Sequence, residues 1–213
     1  MARITKAEKA RTRERVVDAA ARDLRAHGVA GTSIPAVMER VGLTHGTFYA
    51  YFPTKDALVA EACARGMDET VTNLLRHADA APPEHALAAV IEQYLSPAHR
   101  DDPARGCLLP ALAGELRRES SDVRHAFTDA FSAYVDRLTS LPSDGGARAG
   151  DDRALVLASG MAGAVLLARA VDDPVLSDRI LDACRAFYLE SFGPQVGDLP
   201  VNTSDASAAQ GSS

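Results

Sequence analysis

The chain has no tryptophan, and aromatic residues make up only 5% of its 213 positions. Its three cysteines, Cys63, Cys107 and Cys184, are odd in number and widely scattered. They form no CxxC or Cys/His ligand spacing, which excludes a disulfide framework and leaves no expected metal site. No unbroken apolar run reaches the roughly 18 residues of a membrane span. The N-terminal "MARITKAEKARTRERV" has no apolar segment of the signal-peptide kind. A cytoplasmic protein is therefore expected. G-x-S-x-G, P-loop, H-E-x-x-H and dinucleotide fingerprints are all missing, and the six histidines lie on separate segments. Neither an enzyme nor a cofactor is expected.

Lysine is absent after Lys55. The net charge of -6 also hides an asymmetry. Residues 1–60 carry ten basic groups against six acidic ones, a balance of +4, so the remainder carries -10. An acidic protein with one basic end can still bind a polyanion, because the local field at the docking face decides. A solvated basic first helix accounts for the same charges.

Strand-like alternation is missing too, and helical periodicity takes its place nearly everywhere, so the fold class is all-α. A first helix is expected from about Lys6 to His27, ended by Gly28. In "GTSIPAVMERVG", Ser33 suits a cap, Pro35 suits the first turn and Gly42 a stop. Thr44 is the expected cap of a third short helix through Tyr51, and Thr54 that of a long fourth helix from Lys55. Further helices are expected over 84–95, 121–141, 152–171 and 174–192, with a Pro- and Gly-broken stretch over 99–116. The segment 142–150 reads as a flexible connection and 194–213 as a disordered tail.

Against so few aromatics, the stretch "GLTHGTFYAYFPTKDAL" places Phe48, Tyr49, Tyr51 and Phe52 within five residues. Two short helices about a turn at Gly42 and Leu43, packed on a longer one, have the dimensions of a helix-turn-helix. Phe48 and Phe52, four apart, share one face and are expected inside with Val37 and Val41. Thr44, His45, Thr47, Tyr49 and Tyr51 are left to meet solvent or DNA. Gly46 and Ala50 are small enough for close approach. A tyrosine hydroxyl donates to phosphate while its ring packs, and Lys55 can reach the backbone as a point charge.

On these residues, "GVAGTSIPAVMERVGLTHGTFYAYFPTKDAL" resembles the N-terminal DNA-binding domain of the TetR family of bacterial transcription regulators. The resemblance covers about residues 10–60. It implies a DNA-binding domain over 1–60 with a basic arm, and a helical ligand-binding and dimerisation domain over 61–193. By position it implies phosphate contacts from Ser33, Thr44, Tyr49, Tyr51 and Lys55, and base contacts near His45, Gly46 and Thr47. Ala50 stands where many members carry another tyrosine. The arginine-rich lead-in would lie along the DNA backbone, reach the minor groove or remain a solvated tail.

The resemblance also implies a homodimer on double-stranded operator DNA, held by the two C-terminal helices as an intersubunit four-helix bundle. A small, mostly apolar inducer would release a repressor. Its candidate pocket residues are Met67, Leu75, Tyr94, Cys107, Leu112, Phe127, Phe131, Tyr134 and Met161, with Glu92 and Glu115 as acids that could enter. "RGCLLPALAGEL" resembles a segment of electrophile- and oxidant-sensing members. There Arg105 and a helix start would favour the Cys107 thiolate. A helical ligand carrier without DNA binding is the remaining alternative, though no acid or bulky apolar group spoils the surface of 44–55.

Overall fold

The computed structural model describes residues 5–141 and 151–192. The expected flexible connection over 142–150 and the tail over 194–213 lie outside them, as does Arg3 of the basic lead-in. Among the described residues there is no strand. Helix α1 spans Lys6–Gly31 and opens with a reciprocal cap. The Thr5 hydroxyl accepts from the Glu8 amide at 3.1 Å, and the Thr5 amide donates to the Glu8 carboxylate at 2.8 Å. The sequence pattern Thr-x-x-Glu carries this signal, because each partner satisfies an amide the helix start leaves open. Gly28 breaks the helix with φ 70°, a conformation that costs a side-chain-bearing residue.

Helix α2, Ile34–Arg40, has Ser33 as its cap, accepting from the Ala36 amide at 3.3 Å, and Pro35 in its first turn. Gly42, at φ 75°, turns the chain back. The expected third short helix is a 3-10 helix, His45–Ala50. The Thr44 side chain does not cap it; instead the Thr47 hydroxyl donates to the Thr44 carbonyl at 2.7 Å. The helix is only six residues long and ends three residues before Pro53, and the residue before a proline avoids the α region.

Helix α3, Lys55–Ala80, capped by Thr54, is the long axis of the molecule and packs on α1 as well as on helices further along the chain. Those are α4 (Ala86–Tyr94), the short α5 (Pro97–Asp101) and α6 (Leu109–Leu112), then α7 (Ser121–Ser140), α8 (Asp151–Ala170) and α9 (Pro174–Phe192). The core is mostly aliphatic, with Val16, Leu24, Val37, Leu58, Val90, Ile91, Leu108, Leu112 and Val165 fully enclosed beside the rings of Phe48, Phe52, Tyr94 and Tyr134.

Helix α8 departs from the expectation based on unbroken apolar runs. By length and composition, 152–170 could cross a membrane, yet the helix packs along α9 and α7. Gly160 permits the α8–α9 approach, since a Cβ there would collide with the Tyr188 hydroxyl.

Candidate DNA-binding face and effector cavities

The 3-10 helix divides its aromatics by burial. Phe48 and Phe52 are fully buried and stack at 5.7 Å, and the Arg13 guanidinium lies 4.6 Å over the Phe52 ring. Each ring removed from water stabilises the packing by about 1.5–3 kcal/mol. Thr44, His45, Gly46, Thr47 and Ala50 are exposed, and Tyr49 is 64% exposed with its ring edge-on to Phe48. A Cβ at Gly46 would meet nothing within 4 Å, so the outer face is open there. Tyr51 is half-buried under Lys9, whose ammonium lies 5.9 Å from the ring centroid.

Much of the basic surplus of the first sixty residues is committed internally. Arg13 pairs with Glu61, Arg40 with the buried Asp23 at 2.9 Å, and Arg15 donates to the Val41 carbonyl at 2.9 Å. Buried Arg25 reaches the Gly66 carbonyl at 2.8 Å and Glu69 at 2.6 Å. Lys55 donates to the Val29 carbonyl at 3.0 Å. An ammonium has three donors, so that bond leaves two. Lys6, Lys9, Arg11 and Arg22 remain exposed.

The turn after Gly28 is tied to the C-terminal half as well. The Glu115 carboxylate accepts from the Val29 amide at 2.8 Å and the Ala30 amide at 3.2 Å. Glu115 therefore enters no effector cavity, and Glu92 is exposed. Nothing local in the sequence signals this cap, because its donor and acceptor are 86 residues apart.

The nine candidate pocket residues do not form one pocket. Phe127 and Phe131, stacked in parallel at 6.2 Å, line an apolar cavity of about 310 Å³ with Leu109, Pro110 and the α8 residues Ala162 and Leu166. Met67 and Leu75 face a broad groove of about 800 Å³ between α3 and α7. Tyr94 and Cys107 line a smaller cleft of about 130 Å³ beside α3. Tyr134 is buried beneath α3, and Leu112 and Met161 are fully enclosed core residues.

Cys107 corrects the expected thiolate. It is 3% exposed, and burial pushes its pKa up even though Tyr94, Leu109, Thr70 and Arg25 act in the other direction. Arg105 turns outward to Asp102 at 2.7 Å. Burial likewise pushes Cys63 up to about 12 and raises Cys184. His99 sits next to this cysteine and is neutral by geometry. Its Nε2 accepts from the Cys107 amide at 2.9 Å, so Nδ1 carries the proton and donates to the Tyr94 carbonyl at 2.6 Å.

An all-helical chain that opens with a helix-turn-helix on a long connecting helix has the architecture of a transcription regulator. Residues 16–62 match the model of the bacterial regulatory proteins of the tetR family. No curated protein sequence matches the chain. Among solved structures, it is similar to the reduced form of Escherichia coli NemR, with 19% identity and a TM-score of 0.72 over 87% of this chain and 99% of that one. A TetR-family regulator from Cytophaga hutchinsonii gives 20% and 0.71 over 91% and 100%. One from Agrobacterium tumefaciens gives 19% and 0.69 over 87% and 100%. At these identities the likeness is one of fold. The match over residues 16–62 marks the N-terminal domain as one of the tetR-family type, and the described residues have the fold of the family's transcriptional regulators. Regulators of this family bind operator DNA, act as dimers and are not enzymes.

Proposed function

We propose that the chain is an effector-released repressor, with DNA binding in residues 1–60 and effector binding and dimerisation in 61–193. The observation that carries the reading is the division of the 3-10 helix. Two phenyl rings are spent on the core, while Thr44, His45, Gly46, Thr47 and Tyr49 stand outward, with no acid and no bulky aliphatic side chain among them. His45, Gly46 and Thr47 would lie against base edges. Ser33, Thr44, Tyr49, Tyr51 and Lys55 would hold phosphates, which position a protein on the duplex without reading sequence.

One such face reads one half-site, so a homodimer is required, with half-sites about 34–36 Å apart or a multiple of that. Among the described residues, seven of the eight large, exposed apolar side chains lie on α8 and α9: Leu155, Val156, Leu166, Leu167, Val175, Leu176 and Phe187. We assign the dimer contact to this face. The inducer we place in the cavity under Phe127 and Phe131, which suits a small, mostly apolar molecule. Occupying it would bias α7 and α8, and through α3 the spacing of the two DNA-binding faces. Full switching needs roughly 10⁴-fold preference of the ligand for the released state.

The test is fluorescence anisotropy against the DNA upstream of the chain's own gene, with a scrambled duplex as control. Specific binding orders of magnitude tighter than scrambled is expected. It should weaken with salt at a slope near -0.9 per phosphate contact. Tyr49→Phe should loosen it by about tenfold to a hundredfold, as for one hydrogen bond to a charged group. Equal, weak binding to both duplexes and to neighbouring promoters would overturn the reading in favour of a ligand carrier.

A further inference from the structure

One peptide group, between Val29 and Ala30, is held from both ends by charges that come from far apart in the chain. At its N–H end the Ala30 amide donates to the Glu115 carboxylate at 3.2 Å, and the preceding Val29 amide donates to the same oxygen at 2.8 Å. At its C=O end the Val29 carbonyl accepts from the Lys55 ammonium at 3.0 Å. An anion at the N–H and a cation at the C=O both align with the peptide dipole, so each bond strengthens the other. Neither Glu115 nor Lys55 has an ion-pair partner among the described residues. The peptide is what joins them.

The turn is shaped for this approach. Gly28 bears no side chain, and a Cβ there would collide with the Glu115 carboxylate. Val29 is buried, which fixes the turn in the core. Lys55 opens α3 and is half-buried, whereas Lys6 and Lys9, the other lysines, are exposed on α1. A free ammonium on a four-carbon stem loses many rotamers when it is fixed on a phosphate. A bond already made to a fixed carbonyl removes much of that loss beforehand and leaves two donors for the phosphate.

We propose, on the reading of Lys55 as a phosphate contact, that Glu115 is a positioning residue for DNA binding. Through the Val29–Ala30 peptide, this carboxylate of the C-terminal half sets the Lys55 ammonium for its phosphate. The expected effect is opposite to that of charge alone. Removing a carboxylate beside a DNA-binding domain ordinarily tightens the hold on a polyanion, but removing the Glu115 carboxylate should loosen it.

The experiment takes the full chain through two arms. Without DNA, NMR of isotope-labelled lysine ε-methylenes resolves Lys6, Lys9 and Lys55. The ε protons of Lys55 should have separate shifts, as in a held side chain, and Glu115→Ala should merge them while leaving Lys6 and Lys9 unchanged. With the upstream duplex, Glu115→Ala should weaken binding by about threefold to tenfold, a coupling of the size found within one hydrogen-bond network. Glu115→Gln keeps an acceptor oxygen without the charge, and should bind at least as tightly as the parent. Lys55→Met should weaken binding and make the salt slope shallower by about 0.9, one phosphate. Adding Glu115→Ala to it should change nothing further. A Lys55 signal indifferent to Glu115→Ala overturns the proposal, and so does tighter binding by that variant. A loss of equal size with and without the Lys55 side chain also overturns it, since that marks a general loosening of the fold. If the parent binds no duplex specifically, the DNA reading fails and the positioning role with it, while the lysine signal still reports whether Glu115 holds Lys55.

Discussion

Gly28 and Glu115 form a pair that neither residue could form alone. The glycine leaves α1 at φ 70°, and the amides this frees, Val29 and Ala30, are taken by a carboxylate from the C-terminal half. A Cβ on Gly28 would collide with that carboxylate. Glu115→Ala should cost about 1–3 kcal/mol by urea denaturation, the range for stranding buried or half-buried donors. Gly28→Ala should cost more than backbone strain alone, but in the Glu115→Ala background only about 1–3 kcal/mol, the strain of a positive φ with extended ψ. Additive costs in that double-mutant cycle would deny the coupling. The stop at Gly28 is legible in the sequence, since glycine after a helical run is a local signal. Its carboxylate partner is not, because tertiary folding brings it there from far along the chain. Lys55 divides the same way: its isolation in the sequence suggested a phosphate contact, and its bond to the Val29 carbonyl adds a structural duty that spacing does not reveal.

His99 gives a prediction in pH. Burial first, and then the positive charge of Arg169, depress its pKa below the ordinary 6.5, while its bond to the Tyr94 carbonyl opposes them. The charged and titratable groups about it are Arg169, Cys107 and the Tyr94 ring, 4.5 Å away. With a depressed folded pKa, the unfolded chain binds the proton more readily. The stability is therefore fully present above pH 6.5 and is lost as pH falls below it. The urea midpoint of the parent should drop between about pH 7 and pH 5, and His99→Gln should flatten that drop. Parallel profiles for the two proteins would count against the buried neutral imidazole.

At the scale of elements, periodicity was sufficient wherever one helix packs on one core. The long helices and the Ser33, Thr54 and Gly42 signals stand where the pattern places them, because caps and stops act within a turn of their own position. The pattern marks the third short helix but not its 3-10 form, which depends on how Pro53 and the Gly42 turn bound it. Phe127 and Phe131 stand among the candidate pocket residues and are half-buried at a cavity, but spacing alone does not set them apart from enclosed candidates such as Leu112 and Met161, since only the position of α8 decides what they face. Gly42 allows a clean measurement at this scale. Its φ is 75°, and a Cβ there would touch nothing within 4 Å. Gly42→Ala should thus cost about 1 kcal/mol from backbone strain alone, less than Gly28→Ala in the parent. A cost well above that, measured by urea unfolding, would mean that the turn between α2 and the 3-10 helix is held by more than its dihedral angle.

For the whole molecule, the question is what covers α8 and α9. By composition 152–170 could sit in lipid, but its neighbours in the fold argue otherwise. Its inner face, Ala154, Leu157, Ala158, Met161 and Val165, is spent on α7 and α9, and the outer stripe recurs at Leu155/Val156 and Leu166/Leu167, three turns apart. Continuing that stripe, Val175, Leu176 and Phe187 on α9 give an exposed apolar surface on two antiparallel helices. A second copy presenting the same pair would close it as a four-helix bundle. Sequence alone marks α8 as apolar nearly all round. It cannot say which side faces its own chain, and that division identifies the side left for a partner. Leu166→Glu combined with Leu167→Glu should convert a dimer to a monomer by light scattering with helicity unchanged. Both side chains are already exposed within one chain, so the variant has no cause to unfold. The monomer engages one half-site, and its affinity for a two-half-site operator should fall by about 10²–10⁴, the gain that linking two sites provides. A variant that remains dimeric and binds as tightly as the parent would move the dimer contact to another face. The α8–α9 surface would then need a different partner.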